Sequence, residues 1–455
     1  MSGRSEGIGG GTGDDEPDAH DAARTDWRGS ELIALGASEG PALGRMLGIV
    51  NARAHTVAEV GAVIEAHRPP PELPQRDEPA PCVWNITGGT EDELENLAKL
   101  RETMDVVLRT VIDGAEPAAV LDAGSAITHF GPGGRGGEDR FALPEALAAA
   151  IDALPFAGLG DVARGHMGTQ GDGNHFLYVG RLESSGQTVL VTHHGSRGVG
   201  ARLYKAGMAI AERHRRTLSP STPKQNAWIP ADTDDGRTYW EALQVVREWT
   251  RRNHESIHER VVERARGRVA HRRWNEHNFV FREADGDGAL FWHAKGATPI
   301  HDALLPDTDG VQIVPLNMAE PVLFVRGDRN ATNLGFAPHG AGRNTSRTRH
   351  KKRLAGRSDR EVFAAETAGI DARFHCGRID VSELPSAYKS AAAVQADMAR
   401  FELAEVVDRV LPHGSIMAGD WEHDAPWKRR RRERAHRGAA AGADDAREEN
   451  ARWPT

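Results

Sequence analysis

The chain has 455 residues and a formal net charge of −9. This length permits a large buried core, and the acidic balance argues against a protein that coats nucleic acid non-specifically, because that binding needs a broad excess of Lys and Arg. The two cysteines, Cys82 and Cys376, exclude a disulfide framework and an all-cysteine zinc site. No apolar run approaches the roughly 20 residues of a membrane helix, so we expect a cytoplasmic protein without membrane contact.

Composition divides the chain into four segments. Residues 1–28 are rich in Gly and Asp and predict a disordered tail. Residues 29–110 predict an N-terminal helical region that is interrupted by a Pro-rich connector. Residues 111–420 predict the main catalytic domain. Residues 421–455 predict a basic and then low-complexity tail, whose Lys/Arg block at 428–432 suits either nucleic-acid contact or simple solubility.

Hydrophobic patterns predict both strands and helices in the main domain. Short β-type runs occupy residues 176–179, 188–193, 279–281 and 322–325, and a Gly-, Ala- and Pro-rich stretch at 120–160 predicts a long loop. Two helices are predicted, one carrying Leu243, Val246, Trp249, Ile257 and Val261 on one face, and one over residues 386–409 with Val394, Met398 and Phe401 on one stripe. These elements indicate an α+β fold of mixed β-sheets flanked by helices, with disordered termini.

Four short polar sequences, three of them rich in glycine, each follow or end a β-type run and carry histidine. They are HMGTQGDGNHF at 166–176, THHGSRGVG at 192–200, NEHNF at 275–279 and PHGAGRNTSRT at 338–348. A lone histidine is more often a hydrogen-bonded structural residue than a ligand. Four such sequences together change that balance, because Gly lets the backbone approach a ligand, Asn orients a neighbouring imidazole and Arg binds phosphate. The sequence therefore predicts an anion site beside a metal.

Five short motifs resemble those of the RtcB-type RNA ligases, and they occur in the same order. They are GNHF at 173–176, HHGSRG at 193–198 where the family carries HSGSRG, HN at 277–278, HGAGR at 339–343 followed by SRT, and AYK at 387–389. The resemblance runs from about residue 166 to 419 and implies a single large catalytic domain. Five motifs in order are a highly specific signal.

The resemblance implies a reaction and a set of residues for it. The family joins RNA 3′-phosphate or 2′,3′-cyclic-phosphate ends to 5′-hydroxyl ends in tRNA splicing or RNA repair, using GTP and manganese through a covalent histidine–GMP intermediate. By motif, His339 is the nucleophile and His175, His193 and His277 bind one or two Mn²⁺ ions. The positions matching nucleotide contacts are Asn174, Phe176, Asn317, Ala341, Gly342 and Tyr388. Chemistry alone suggests Arg197 and Arg343 as phosphate ligands. Implied partners are tRNA halves and an archease-type activator protein.

The chain also departs from the family pattern. The DxGC motif that supplies an Asp and a bridging Cys to the metals has no counterpart before Phe130, and Cys82 lies too far upstream to replace it. Two of five expected metal ligands are therefore missing. Around the nucleotide, Tyr178 replaces a Glu, Asn317 a Ser and Ala418 a Lys, and each change is expected to remove a contact to the guanine nucleotide.

Three functions remain open from the sequence. The intact His339 and the three histidines favour a working RNA ligase. The missing Asp and Cys favour a degenerate paralogue that binds RNA ends or nucleotide without ligating them. A metal-dependent phosphoesterase would need only the histidines and a bound water.

Overall fold

The computed structural model describes residues 26, 28–34, 51, 60, 85–89, 104–285, 288–305 and 310–421. Chain contacts divide the protein into two compact units, Met1–Glu78 and Pro79–Thr455. In the first unit the described residues include helix α1 (Gly29–Ala34), where the Glu31 carboxylate accepts the backbone N–H of Arg28 at 2.8 Å. The predicted tails and the Pro-rich connector lie almost entirely outside the described residues. No helix in the described ranges is long and apolar enough to cross a membrane.

The second unit is built on one large sheet and two small ones. The large sheet comprises β2 (Asp105–Asp113), β3 (Phe176–Leu182), β4 (Thr188–Gly195), β5 (Arg268–His277), β9 (Val311–Val314), β10 (Val322–Arg326), β12 (Asp371–Phe374) and β13 (Glu405–Met417). Its strands follow the order β5, β2, β4, β3, β13, β10, β9, with β12 parallel to β13. The small sheets are formed by β1 (Asn85–Gly89), β7 (Gly288–Lys295) and β6 (Val280–Asp285), and by β8 (Ala297–Pro299) and β11 (Phe336–Pro338).

Eight helices in the described part of this unit flank the sheets. They are α2 (Pro117–Ile127), α3 (Glu145–Asp152), α4 (Leu159–His166), α5 (Arg197–Leu218), α6 (Asp234–Arg264), α7 (Arg347–Arg353), α8 (Asp359–Glu366) and α9 (Ala391–Arg400). The longest, α6, begins at an N-cap in which the Thr233 side chain accepts the backbone N–H of Gly236 at 3.0 Å. The five apolar residues predicted on one face of this helix are all buried. The α+β fold is therefore confirmed.

The large sheet has a different core on each face. Side chains alternate along β2, so Val106 and Ile112 join the core cluster that also contains the buried face of α6, while Val107 and Val111 join a second cluster with residues of β3, β4, β9, β10 and β13. The sheet curls over this second core, since the Asn275 amide on β5 donates to the Ile313 carbonyl on β9 at 3.1 Å.

Two sequence predictions are wrong in the second unit. Residues 120–160 are not one long loop, because α2, α3 and the start of α4 lie there. The segments PAAVLDAGSAI and EALAAAID are rich in Ala, the best helix former, which outweighs the loop signal of the flanking Gly and Pro. The helix predicted over 386–409 spans only Ala391–Arg400, and residues from Glu405 onward form β13, where the β-branched pair Val406 and Val407 favours a strand.

The predicted N-terminal helical region also needs correction. Within residues 29–110, β1 and most of β2 are strands, and the proposed boundary at residue 110 cuts through β2. The sequence VVLRTVI is dominated by β-branched residues, which fit a pleated surface better than a helix. Residues 105–113 therefore belong to the main sheet. The strands predicted at 176–179, 188–193 and 322–325 are confirmed as parts of β3, β4 and β10, and 279–281 overlaps β6.

Candidate active site

Three neighbouring strands bring a carboxylate and two imidazoles to one edge of the large sheet. Asp105 starts β2 and pairs in register with His277, the last residue of β5, while Val107 pairs with His193 on β4. Because all three side chains occupy the same face, one ligand atom from each of Asp105, His193 and His277 lies within 4.8 Å of the others. All three residues are buried. Strand register thus assembles a group of ligand atoms from positions far apart in sequence.

Asn278 holds the carboxylate of this group in place. Its backbone is left-handed (φ +52°), a conformation that Asn tolerates better than most residues. The Asn278 amide donates to Asp105 Oδ2 at 2.7 Å, and its carbonyl oxygen accepts the backbone N–H of Gly296 at 2.9 Å. Oδ2 is therefore engaged by the amide, which leaves Oδ1 for another partner.

The buried imidazoles have the properties of metal ligands. Among the described residues, neither ring nitrogen of His277 has a hydrogen-bond partner, and Nδ1 of His193 has none. Burial, with His175 and His339 nearby, lowers the pKa of His193 to about 3 against the opposing effect of Asp105. Burial also lowers the pKa of His277 well below its usual value, with His339 and His193 adding to the effect. Neutral imidazoles with unused lone pairs beside a carboxylate fit a divalent transition-metal ion.

The charge on Asp105 completes this fit. Burial raises its pKa, but His193, His175 and the hydrogen bond from Asn278 together outweigh burial and lower it. The carboxylate is therefore ionised near neutral pH, as a metal ligand must be.

His175 adjoins the same carboxylate. Its Nδ1 lies 2.7 Å from the Gln170 carbonyl, and a carbonyl can only accept, so Nδ1 carries the proton. This tautomer leaves Nε2 unprotonated at 4.0 Å from Asp105 Oδ1. A backbone carbonyl that orients an imidazole in this way is typical of metal sites. The structure thus brings together all three predicted histidines, two within the ligand group and the third beside its carboxylate.

His339 lies beside the ligand group. It follows β11, and its backbone N–H donates to the Gly296 carbonyl at 3.3 Å. Its ring centroid is 4.8 Å from that of His277. The predicted nucleophile and the predicted metal ligands are therefore neighbours in space, although 62 residues of sequence separate His339 from His277.

A cavity of about 400 Å³ is lined by His339 and by Asp105 and His193 of the ligand group. All six predicted nucleotide contacts line it, namely Asn174, Phe176, Asn317, Ala341, Gly342 and Tyr388. Lys295, Arg343 and Arg347 also line it and supply positive charge. This size suits a small-molecule ligand, and the cationic side chains suit a phosphorylated one.

A buried carboxylate organises the arginines of the cavity wall. Glu383, only 2% exposed, accepts Arg343 at 2.7 Å and Arg347 at 2.8 Å through Oε1, and its Oε2 accepts the hydroxyl of Tyr388. Arg343 also donates to the Ser382 carbonyl at 2.6 and 2.8 Å and stacks over the Tyr388 ring. We call these four side chains the Glu383 junction. The junction fixes the ring of a predicted nucleotide contact.

Arg197, the other predicted phosphate ligand, has a different setting. It does not line the cavity, and its guanidinium donates to Thr169 Oγ1 at 3.0 Å and to the Gly131 carbonyl at 2.9 Å. These bonds tie the start of α5 to the loop after β-bridge residue Phe130. A phosphate contact by Arg197 stays a prediction.

The opposite face of β4 carries a second set of buried histidines. His254 and His258 of α6 are linked to Thr192 of β4, each at 2.7 Å, while His258 also meets Thr110 at 2.7 Å and His254 meets the His194 carbonyl at 3.1 Å. The His194 ring stacks on His254, as expected for a residue pointing away from its neighbour on the strand. We call these links the helix-face chain.

The proton positions of the helix-face chain follow from its last member. The His194 carbonyl only accepts, so His254 Nε2 donates, and burial keeps His254 neutral by lowering its pKa to about 3. His254 Nδ1 must then accept from Thr192, which in turn accepts from His258 Nε2. His258 Nδ1 accepts from Thr110. Every ring nitrogen of His254 and His258 therefore has a hydrogen-bond partner, and all the bonds of the chain donate in one direction, from Thr110 towards the His194 carbonyl.

Sequence reasoning assigned no role to several residues of the site, namely Asp105, Lys295, Arg347 and Glu383, and named Asn278 only as part of the HN motif. The most important is Asp105, because the sequence motifs indicate only histidines as candidate metal ligands and the structure adds a carboxylate to them. Leu108 stands three residues after Asp105, where a DxGC motif would carry its Cys, so a search for the full motif fails. A carboxylate at the start of a Val-rich strand was the available signal.

The comparisons with known proteins agree with the motifs. The sequence model of the tRNA-splicing ligase RtcB family matches residues 157–418, which is more than half of the chain. The tRNA-splicing ligases RtcB of Methanocaldococcus jannaschii and Pyrococcus horikoshii are each 27% identical, over 291 and 288 residues. The RNA-splicing ligase RtcB of Escherichia coli K12 is 28% identical over 259 residues.

These matches cover only part of each protein. The M. jannaschii match covers 56% of this chain and 30% of the relative, the P. horikoshii match 54% and 32%, and the E. coli match 53% and 59%. The chain thus spans less than two thirds of the length of the curated relatives it matches. The matched region contains His339 and all three predicted metal-binding histidines. The family match, together with this site, shows that the chain belongs to the RtcB family.

Proposed function

We propose that the protein is an RNA ligase that joins 3′-phosphate or 2′,3′-cyclic-phosphate ends to 5′-hydroxyl ends through a nucleotide carried on His339. The observation that carries this proposal is the position of His339, with its ring 4.8 Å from His277, at a cavity that is also lined by Arg343, Arg347 and Lys295. Family membership supplies the reaction class. In splicing the RNA substrate would be a pair of tRNA halves, and in repair it would be two pieces of a broken RNA strand. An archease-type protein would act as activator.

The chemistry needs a nucleophile and a charged wall, and the chain supplies both. An unprotonated nitrogen of His339 would attack the α-phosphorus of GTP, so that an N–P bond forms and the bond to the β-phosphate oxygen breaks, releasing pyrophosphate. A 2′,3′-cyclic-phosphate end would first be opened by water to a 3′-phosphate. An oxygen of the RNA 3′-phosphate would then attack the phosphorus of the GMP, so that the N–P bond to His339 breaks. Attack by the RNA 5′-hydroxyl on the activated 3′-phosphate would form the phosphodiester and release GMP.

Asp105, His193 and His277 would hold one manganese ion, and His175 lies where it would complete that shell or hold a second ion. A bound ion supplies charge compensation for the phosphates. Arg347 would bind phosphate oxygens at the cavity wall, while Phe176 and Tyr388 would flank the nucleotide.

The test is transfer of label from α-³²P-GTP to the protein in the presence of manganese. In the wild type we expect an acid-labile protein adduct and joining of the two RNA ends. In His339→Ala we expect neither. The matched control is His301→Ala, because His301 pairs with Asp328 at 3.0 Å and does not line the cavity. An adduct that survives in His339→Ala, or no adduct with any nucleotide, would contradict the proposal.

A metal-dependent phosphoesterase is a second candidate function. It is favoured by the composition of the ligand group, since three protein ligands around one ion leave positions for water and a phosphate ester. In that case His339→Ala would retain metal-dependent hydrolysis of a 2′,3′-cyclic phosphate, whereas the ligase proposal expects loss of joining. A comparison of the wild type with His339→Ala therefore distinguishes the two functions.

A further inference from the structure

The cavity has an apolar end, built by two neighbouring strands of the large sheet. Phe176 and Tyr178 on β3 pair in register with Met417 and Ser415 on β13, and all four residues line the cavity. Met318 adds a further apolar wall. Phosphates suit the cationic lining formed by Arg343, Arg347 and Lys295, so a nucleotide's base suits the apolar lining, which we call the apolar end.

The polar groups at the apolar end are nearly all committed to other partners. The Tyr178 hydroxyl donates to the Val410 carbonyl at 2.9 Å. The Asn317 amide donates to Glu320 at 2.7 Å, and its oxygen accepts the backbone N–H groups of Ala319 and Glu320 at 3.0 and 3.1 Å. Among the buried polar side chains of this end the exception is Ser415, which is 1% exposed and whose hydroxyl has no hydrogen-bond partner among the described residues.

The carboxylates that line the cavity are committed as well. Within the described residues they are Asp105 and Glu383. Asp105 belongs to the ligand group and accepts Asn278, while both oxygens of Glu383 are used in the Glu383 junction. The apolar end therefore offers no free carboxylate to a base.

The hydrogen-bonding groups at the apolar end determine which purine the cavity selects. Guanine presents two neighbouring donors, N1–H and the 2-amino group, and strong selection for it requires an acceptor for each. Adenine presents one acceptor and one donor on the same edge. A rotating hydroxyl both donates and accepts, so the Ser415 hydroxyl pairs with one atom of either base without favouring one of them.

We infer that the cavity accepts purine nucleoside triphosphates without selecting guanine, and that Ser415 is the side chain that meets the base edge. This inference rests on the proposed function, because it assumes that a nucleotide occupies the cavity. It predicts that GTP and ATP bind with affinities within about tenfold of each other, and that both place a nucleoside monophosphate on His339.

The test uses the full chain with manganese and two probes, α-³²P-GTP and α-³²P-ATP, titrated separately and in competition. In the wild type we expect dissociation constants within about tenfold and labelling of His339 by both. Ser415→Ala should weaken both nucleotides by a similar factor of roughly 3 to 10, because one hydrogen bond is lost to each. Ser415→Asp adds an acceptor opposite N1–H and should shift the ratio towards GTP by roughly tenfold or more, whereas the neutral control Ser415→Asn should not.

The outcomes separate this inference from the function on which it rests. Labelling by GTP alone, with ATP at least about 100-fold weaker, would overturn the inference and leave the ligase proposal standing. Labelling by neither nucleotide would overturn the ligase proposal. Should the buried charge of Ser415→Asp prevent folding, the wild-type ratio and Ser415→Ala still decide, since a loss confined to one nucleotide would show that Ser415 selects between bases.

Discussion

Buried histidines lie against both faces of strand β4, and the two sets differ in their hydrogen bonds. On the cavity face, His277 has no partner for either ring nitrogen among the described residues, and His193 lacks one for Nδ1. On the helix face, His254 and His258 have partners for all four ring nitrogens. Burial lowers the pKa of His193 and His254 alike, to about 3. Burial and pKa therefore do not separate the predicted metal ligands from His254 and His258, whereas hydrogen bonding does. His194 differs from both sets, because its Nδ1 donates to the Gly195 carbonyl at 3.2 Å while its Nε2 has no partner among the described residues.

The comparison assigns different costs to changes on the two faces. Removing the hydrogen-bond partner of a buried polar atom lowers the free energy of unfolding. Removing a ligand atom that has no protein partner lowers the affinity for metal. Changes on the helix face should therefore act on stability, and changes on the cavity face on metal binding.

The largest expected effect is that of Thr192→Val on the helix face. It removes the hydroxyl that serves His254 Nδ1 and His258 Nε2 and leaves two buried nitrogens unpaired. At about 1–3 kcal/mol for each, the free energy of unfolding should fall by about 2–6 kcal/mol, measured by urea denaturation with chelator present. The matched control on the same strand is Thr188→Val, whose hydroxyl makes one bond, to the Ala115 carbonyl. If both variants lose the same free energy of unfolding, the helix-face chain has no special role in stability.

A smaller effect, confined to metal binding, is expected for Asp105→Asn. Loss of the carboxylate charge from the ligand group should lower manganese affinity more than about 100-fold, which exceeds the usual effect of changing a ligand's supporting partner. Stability in the presence of chelator should not fall, because the change removes a buried charge. Isothermal titration with Mn²⁺ measures the first quantity and urea denaturation the second. Asp113→Asn, at the other end of β2, is the control, and an Asp105→Asn protein that binds manganese as tightly as this control would show that the ligand group is wrongly assigned.

The smallest effect is expected for Asn278→Gly. Glycine adopts the left-handed backbone freely, so the change removes only the amide that holds Asp105 Oδ2 and the Gly296 N–H. Manganese affinity should fall by about 10-fold, in the range found for partners that orient a ligand. Arg266→Gly relieves an equivalent left-handed residue (φ +57°) at an exposed turn and should leave the affinity unchanged. If both variants bind Mn²⁺ like the wild type, Asp105 does not depend on Asn278 for its orientation.

How well the site was predicted depends on how local its signals are. His339, His193 and His277 stand in short motifs whose other members, such as Asn278 and Gly342, act within the site itself, so the motifs locate them. Asp105 joins the group only through pairing with His277, 172 residues away, and no local pattern encodes that pairing. Arg347 and Glu383 likewise become a pair only in three dimensions.

The fold shows the same limit. Periodicity located α6 because its apolar face repeats over 31 residues. The short Ala-rich helices α2 and α3 were missed because flanking Gly and Pro dominated the composition of the window. The segment that forms β2 follows residues with a helical pattern and is therefore predicted as part of a helical region, although its β-branched residues favour a strand. Its central position between β4 and β5 is visible only in the structure.

The register of β2 against its neighbours also bears on how the protein folds. Asp105 opposite His277 is the first of the pairs that join β2 to β5, and a slip of one residue would turn the carboxylate towards α6 and separate it from both imidazoles. A metal ion would therefore bind the correctly registered sheet and not the misregistered ones. By mass action, the ion would lower the free energy of the correctly paired sheet and would not change the free energies of the mispaired ones. In this sheet the proposed metal site would thus favour the correct strand alignment.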